Sequence, residues 1–165
     1  EEVPTGEEGE ILLRGPHICA GYWNKPEETA KAFAKGWFKT GDFGRVDSDG
    51  HFSIVGRLKD MIISGGANIY PAEIERAVET HSAVAGVAVI GVPDPKWGEV
   101  GKAVVELHPG STLSFEELQD FLRDRLGKFK IPKYLVVVDK LPRTAASEKV
   151  QKFVLKDKHG RADNK

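Results

Sequence analysis

Gly56-Arg57-Leu58-Lys59-Asp60-Met61-Ile62-Ile63-Ser64-Gly65-Gly66-Ala67-Asn68-Ile69-Tyr70-Pro71-Ala72-Glu73-Ile74-Glu75 decides how the rest of this chain is read. The stretch joins the end of a hairpin, a paired-glycine loop and the start of a helix, and it gathers Arg57, Lys59 and Asp60 where the chain changes course. Pro71 early in a helix, acidic Glu73 and Glu75 at its positive end, and Ile74, Ala77 and Val78 on one face predict a helix that stops near His81, with Asn68 close enough to cap it. Gly65-Gly66 ahead of a helix fits a phosphate cradle or a plain turn, but the Lys-Ser/Thr pair of a P-loop is missing.

Upstream, residues 10–14 carry Ile11, Leu12 and Leu13, a short buried-strand candidate, and residues 26–33 read as a short helix with Pro26 in its first turn. Residues 37–57 are β in pattern. Asp49-Gly50 marks a hairpin connection, because a tight turn between twisted strands needs a positive φ, and Phe52 and Ile54 are expected on one face. Downstream, residues 84–92 and 102–107 are β-branched runs split by Pro93-Asp94-Pro95, expected as antiparallel neighbours in one sheet. Ser114 and Glu117 form a capping box ahead of the stripe Phe115, Leu118, Phe121, Leu122 and Leu126. Residues 134–138 predict a third strand and 150–156 a last short element that can be helical.

The predicted class is therefore α+β: a small β-rich subdomain over residues 1–58, then a compact domain over 59–157 with a mostly antiparallel sheet of about three strands flanked by helices. The boundary falls where composition changes, at residues 57–60, and the polar residues 158–165 are expected as a disordered tail. The chain has 165 residues, 40% hydrophobic and 30% charged, an ordinary globular mixture. A net charge of −1 exerts no global pull on nucleic acid or membrane, although basic residues outnumber acidic ones after Asp120, a distribution that fits a solvated surface or anion binding. Cys19 stands alone, so no internal disulfide forms; a reducing, cytoplasmic setting and a place in the core are expected for it. No apolar run is long enough for a membrane helix. Met61 is the only methionine, and the opening composition is that of a surface turn, so the chain reads as a piece of something longer.

Some chemistry is disfavoured by the residues themselves. His17, His51, His81, His108 and His159 lie far apart without a cysteine partner, which argues against a zinc site, so no metal ligands are assigned. No Gly-x-Ser-x-Gly elbow occurs, so a nucleophilic hydrolase has no support. Asp42, closing Thr40-Gly41-Asp42, fits a turn cap or a carboxylate that grips vicinal ribose hydroxyls; Arg143 and Lys149, taken alone, are solvated basic residues.

Three motifs in order then settle the context: Trp37-Phe38-Lys39-Thr40-Gly41-Asp42, the stretch 56–75, and Leu141-Pro142-Arg143-Thr144 leading to Lys149. Over nearly its whole length, to about Lys156, the chain resembles the C-terminal part of the adenylate-forming superfamily, the acyl-CoA synthetases and their relatives. That resemblance implies that Asp42 holds the ATP ribose with help from Arg57, that Lys59 is the hinge, and that Gly65 and Gly66 line the pantetheine tunnel, where missing side chains leave room for a thiol arm. It implies that Lys149 neutralises charge at the α-phosphate during adenylation. The substrates implied are a carboxylic acid, fatty or related, with ATP and CoA; the Mg2+ ligand and the carboxylate pocket are expected in a further N-terminal part, without which these residues are expected to be inactive. Lys59→Pro is expected to impair thioester formation more than adenylation.

Two departures from the family pattern stand out. Where relatives have Thr-Gly-Lys or Ser-Gly-Lys, this chain has Ala145-Ala146-Ser147-Glu148-Lys149, one residue longer and with Glu for Gly; Lys152 is then a second candidate, and control by acetylation of the lysine is in question. Ile63 stands where luciferases and coumarate ligases tend to carry lysine, which favours a generic acyl-CoA ligase. The same motifs also serve domains that load a carrier protein, and a non-catalytic nucleotide-binding or interaction module is the reading from another class.

Overall fold

The computed structural model describes residues 2–162. The chain divides into two compact units, Glu1–Lys59 and Asp60–Lys165.

In the first unit the hub is β3 (Trp37–Val46), which pairs antiparallel with β1 (Glu8–Leu13), with the two-residue β2 (Phe33–Ala34) and with β4 (Phe52–Arg57). The short helix α1 (Pro26–Ala32) starts on its proline as expected. Gly50, at φ +82, turns β3 into β4, and the Asp47 carboxylate accepts the Asp49 and His51 amides inside that turn. Two expectations fail here. Leu12 and Leu13 are exposed, as are Phe52 and Ile54, because a single sheet layer with one short helix covers little apolar surface. Cys19 is exposed, in an irregular stretch before α1, and not in a core.

The second unit is built on a long ribbon, β7 (Val84–Asp94) against β8 (Gly98–Leu107). Side chains alternate across a strand, so a run that is apolar at nearly every position needs cover on both faces. It has that cover. Val87, Val89, Ala103 and Val105 pack with Ile74 and Val78 of α2 (Pro71–Glu79) and with Leu118 and Leu122 of α3 (Phe115–Arg123). On the other face Ala88, Ile90, Val92, Val100 and Val104 pack with Leu141 and with Leu155 of α4 (Lys152–His159).

The sheet has five strands where about three were expected. β5 (Ile62–Ser64) and β6 (Ala67–Ile69) form a hairpin that joins β8 at Ser64 and Gly98, and β9 (Tyr134–Val138) runs parallel to β8. The parallel pairing follows from the crossover through α3, which brings the chain back in the same direction. Ser114 caps α3 with the full reciprocal box, as its sequence predicts. Asn68 does not cap α2: it is committed to the hairpin opposite Ile63, and Tyr70 occupies the cap position without a side-chain capping bond to the helix.

The C-terminal end also differs from expectation. α4 continues through Lys158 and His159, because the buried Lys102, 1% exposed, donates from Nζ to the carbonyls of His159 at 3.0 Å and Arg161 at 2.5 Å. A buried ammonium must be paired, and helix C-terminal carbonyls carry the partial negative charge it needs. The last three residues of the expected tail, 163–165, lie outside the described residues. Among the described residues no helix is long and apolar enough to cross a membrane.

Candidate functional site

In the first unit Thr40-Gly41-Asp42 is a β-bulge. The pairing steps from Leu12 opposite Lys39 to Glu10 opposite Phe43, so these three residues face Ile11 alone. Thr40 pins the bulge by donating its hydroxyl to the Ile11 carbonyl at 2.8 Å and accepting the Asp42 amide at 3.0 Å. Gly41 takes φ +72, a left-handed conformation that favours glycine, and its amide donates to Glu10 Oε1 at 3.3 Å. The bulge re-aims Asp42 across the sheet at Arg57, its register partner, whose Nε lies 2.6 Å from Asp42 Oδ1. The sequence-predicted pair is thus brought together. A carboxylate accepts several hydrogen bonds, so one guanidinium does not exhaust Asp42.

Lys59 is exposed in the single 3-10 turn Leu58–Asp60, at the junction of the two units. Gly65 and Gly66, at φ +57 and +84, form the two-residue turn between β5 and β6; positive φ at both central positions matches the twist of flanking strands. The Gly65 amide donates to the Trp97 carbonyl at 2.8 Å, and a Cβ on Gly65 would lie 2.7 Å from the Trp97 ring, whereas one on Gly66 would meet nothing within 4 Å. The paired glycines therefore satisfy turn geometry and a close indole contact together. Trp97, 44% exposed, was not among the sequence candidates, and only its place in the β7–β8 connection puts it there.

Lys149 ends a loop whose base is closed by the Arg143–Val150 bridge. Thr144 organises it: its amide donates to the Lys149 carbonyl at 2.9 Å, its Oγ1 accepts the Lys149 amide at 3.3 Å, and its hydroxyl meets that of Ser147 at 2.6 Å. Glu148 sits at φ +52, while Arg143 donates to its carbonyl at 3.0 Å. Glu148 thus holds a left-handed turn conformation that favours glycine. Lys149 is exposed, and its ammonium has no ion-pair partner among the described residues. Lys152 differs: its Nζ is 2.7 Å from Glu75 Oε1, both side chains about four-fifths buried.

The two loops lie at opposite ends of the β7–β8 ribbon. Arg143 reaches Gly86 near the start of β7, and Gly65 touches Trp97 just beyond its end. The eight residue-to-residue steps of strand from Gly86 to Asp94 correspond to roughly 26 Å.

Of the remaining carboxylates, Asp47 and Asp49 gather with His51 in the β3–β4 turn, their ligand atoms within 4.8 Å of one another and all three residues exposed. Asp47 Oδ1 is already used by backbone amides there.

Residues 73–148 match the family model described as the AMP-binding enzyme C-terminal domain. The chain is 53% identical over 148 residues to the feruloyl-CoA synthase of an Amycolatopsis species, covering 90% of this chain and 30% of that protein. It is 46% identical over 159 residues to a medium/long-chain-fatty-acid–CoA ligase of Mycobacterium tuberculosis, covering 92% and 28%. In structure it is similar to o-succinylbenzoate CoA synthetase from Bacillus subtilis in complex with its acyl-adenylate intermediate, with a TM-score of 0.87, 43% identity, and 94% of this chain on 31% of that one. The chain spans about a third of the length of the relatives it matches.

Proposed function

The chain belongs to the adenylate-forming family, carrying its AMP-binding enzyme C-terminal domain, and from that premise we propose that it is the C-terminal part of an ATP-dependent acid:CoA ligase. Residues 1–58 end the large adenylating domain in this reading, and 59–157 form the mobile C-terminal domain, with Lys59 as the hinge. The observation that carries it is the placement of the Lys149 loop and the Gly65-Gly66 turn at opposite ends of one ribbon. One domain with two such ends suits two reactions run in turn.

In the first, a carboxylate oxygen attacks the ATP α-phosphorus and pyrophosphate leaves; in the second, the CoA sulfur attacks the acyl carbonyl and AMP leaves. The Lys149 ammonium balances charge at the α-phosphate, worth ~3–4 kcal/mol by analogy with a lost oxyanion donor. Asp42 and Arg57 hold the ribose, and the side-chain-free Gly65-Gly66 turn lines the path of the thiol arm. Lys149 is preferred over Lys152 because the Lys152 ammonium is bound to Glu75 and Lys149 is not so tied. Mg2+ would screen the phosphates, but the carboxylates gathered at Asp47 and Asp49 serve their own turn and do not fit that task.

Relatives named for ferulate and for fatty acids share this segment at 53% and 46% identity, which supports a carboxylic acid as substrate; a fatty or related acid is our reading, and the assay over several acid classes identifies it. Residues 2–162 alone are expected to be inactive. The deciding experiment is acid-dependent ATP–pyrophosphate exchange by the full-length protein, wild type against Lys149→Ala, over short, medium, long and aromatic acids. Exchange that falls by about 100-fold or more in the variant, with thioester formation from supplied acyl-adenylate preserved, supports the assignment. Normal exchange in the variant removes the role from Lys149. Product formation only with a carrier protein makes the chain part of a carrier-loading enzyme, and no exchange in wild type makes it a non-catalytic module.

A further inference from the structure

The Lys149 loop runs directly into α4, so whatever fixes the first turn of α4 fixes the lysine's point of departure. Lys152 lies there, with its Nζ 2.7 Å from Glu75 Oε1 and side-chain exposures of 20% and 18%. The same carboxylate oxygen accepts the Val89 amide, also at 2.7 Å. One atom of Glu75 therefore ties α2, the middle of β7 and the start of α4. The rest of α4 is held independently, by buried Leu155 in the core and by Lys102 at the helix's C-terminal end. On the other side of the loop Leu141 is buried and its amide donates to Glu106 Oε2 at 2.9 Å. Both stems are clamped: the Arg143–Val150 bridge and the Gln151 amide on the Pro142 carbonyl at 2.8 Å join them at the base, and the Glu75–Lys152 pair ties the downstream stem to α2 and β7.

We propose that Glu75 and Lys152 are positioning residues for adenylation, holding the start of α4 so that the Lys149 ammonium reaches the α-phosphate. This rests on the assignment of Lys149 above. A misplacement of about 1 Å at a reacting group can cost about 100-fold in rate, whereas a pair that only stabilised the fold would affect both half-reactions alike. The pair meets β7 at Val89, in the middle of the strand, and α2 leads back through β6 to the Gly65-Gly66 turn, so thioester formation is measured beside adenylation to separate positioning from a general loss of structure.

The test uses the full-length protein with Glu75→Gln, Lys152→Met, both together, Lys152→Arg and, in parallel, Lys149→Ala. Expected are a 10- to 100-fold fall in kcat for pyrophosphate exchange with Glu75→Gln or Lys152→Met, an unchanged ATP KM, and thioester formation from supplied acyl-adenylate within twofold of wild type. The double variant should be no worse than the worse single one, since both remove one interaction, and Lys152→Arg should recover most of the rate. Exchange within twofold of wild type in both single variants, or equal loss in the two half-reactions, overturns the inference. If Glu75→Gln fails to fold, Lys152→Met and its Arg rescue decide alone. If Lys149→Ala exchanges normally, the assignment of Lys149 fails and the inference with it; a collapse in Lys149→Ala beside unaffected pair variants rejects the inference alone.

Discussion

Asp42 and Arg57 are register partners on β3 and β4, and a bulge in the Thr-Gly-Asp motif turns one toward the other until Oδ1 and Nε are 2.6 Å apart. Arg57 is half exposed, so the pair contributes little to stability; under the proposed function both groups meet the ribose.

Asp42→Ala in the full-length protein is expected to raise the ATP KM by about 10- to 100-fold, the size of one charge-assisted hydrogen bond of ~1.5–3 kcal/mol. Initial rates against ATP concentration measure this, with the melting temperature as control. A KM within twofold of wild type would remove Asp42 from the nucleotide site.

Glu148 holds φ +52, a conformation that costs an L-residue ~1–2 kcal/mol and glycine little. Glu148→Gly gives back part of this through the greater freedom of the unfolded chain, so a net gain of about 0.5–1 kcal/mol is expected. Urea unfolding should show a higher midpoint at unchanged slope. A lower midpoint would contradict the strained turn.

Gly65 and Gly66 share positive φ but not surroundings. Gly65→Ala places a Cβ 2.7 Å from the Trp97 ring, and Gly66→Ala meets open space. The first should lose ~1–3 kcal/mol more stability than the second, the usual cost of overpacking, and should slow thioester formation while sparing pyrophosphate exchange. Equal effects at the two positions would mean that the indole yields freely.

The Ser114 amide and hydroxyl, acting on Glu117, hold its carboxyl below the usual value of 4.5. A depressed folded-state pKa means stabilisation that is complete above the unfolded pKa and lost as pH falls through the folded one. Glu117→Gln should therefore be less stable than wild type at pH 7, with the gap closing progressively below about pH 4.5. Chemical denaturation at several pH values tests this, and a gap that persists at pH 2 would assign the loss to packing.

Much of the fold was legible because the signals are local. The Ser114 box acts over three residues, the Gly65-Gly66 turn over two, and the apolar run of β7 states by its own pattern that both faces are covered. Asp42 and Arg57 were legible only through the resemblance, since composition and periodicity left Asp42 as either a cap or a ligand.

What the sequence by itself determined is the order of motifs and the conformations that steric and capping chemistry impose on neighbours: the helix starts at Pro26, Pro71 and Ser114, and the left-handed turns at Gly50, Gly65 and Gly66. Tertiary structure alone decided the partners. It aimed Glu75 at Lys152, set Trp97 against Gly65, and buried Lys102 beneath the end of α4, 57 residues from the His159 carbonyl it binds. It also left Cys19 and Leu12 in the open. The reason is physical: a charge buried far along the chain from its counter-group carries no periodic or turn signal, and its pairing is set by which surfaces the packed sheet brings within hydrogen-bond reach.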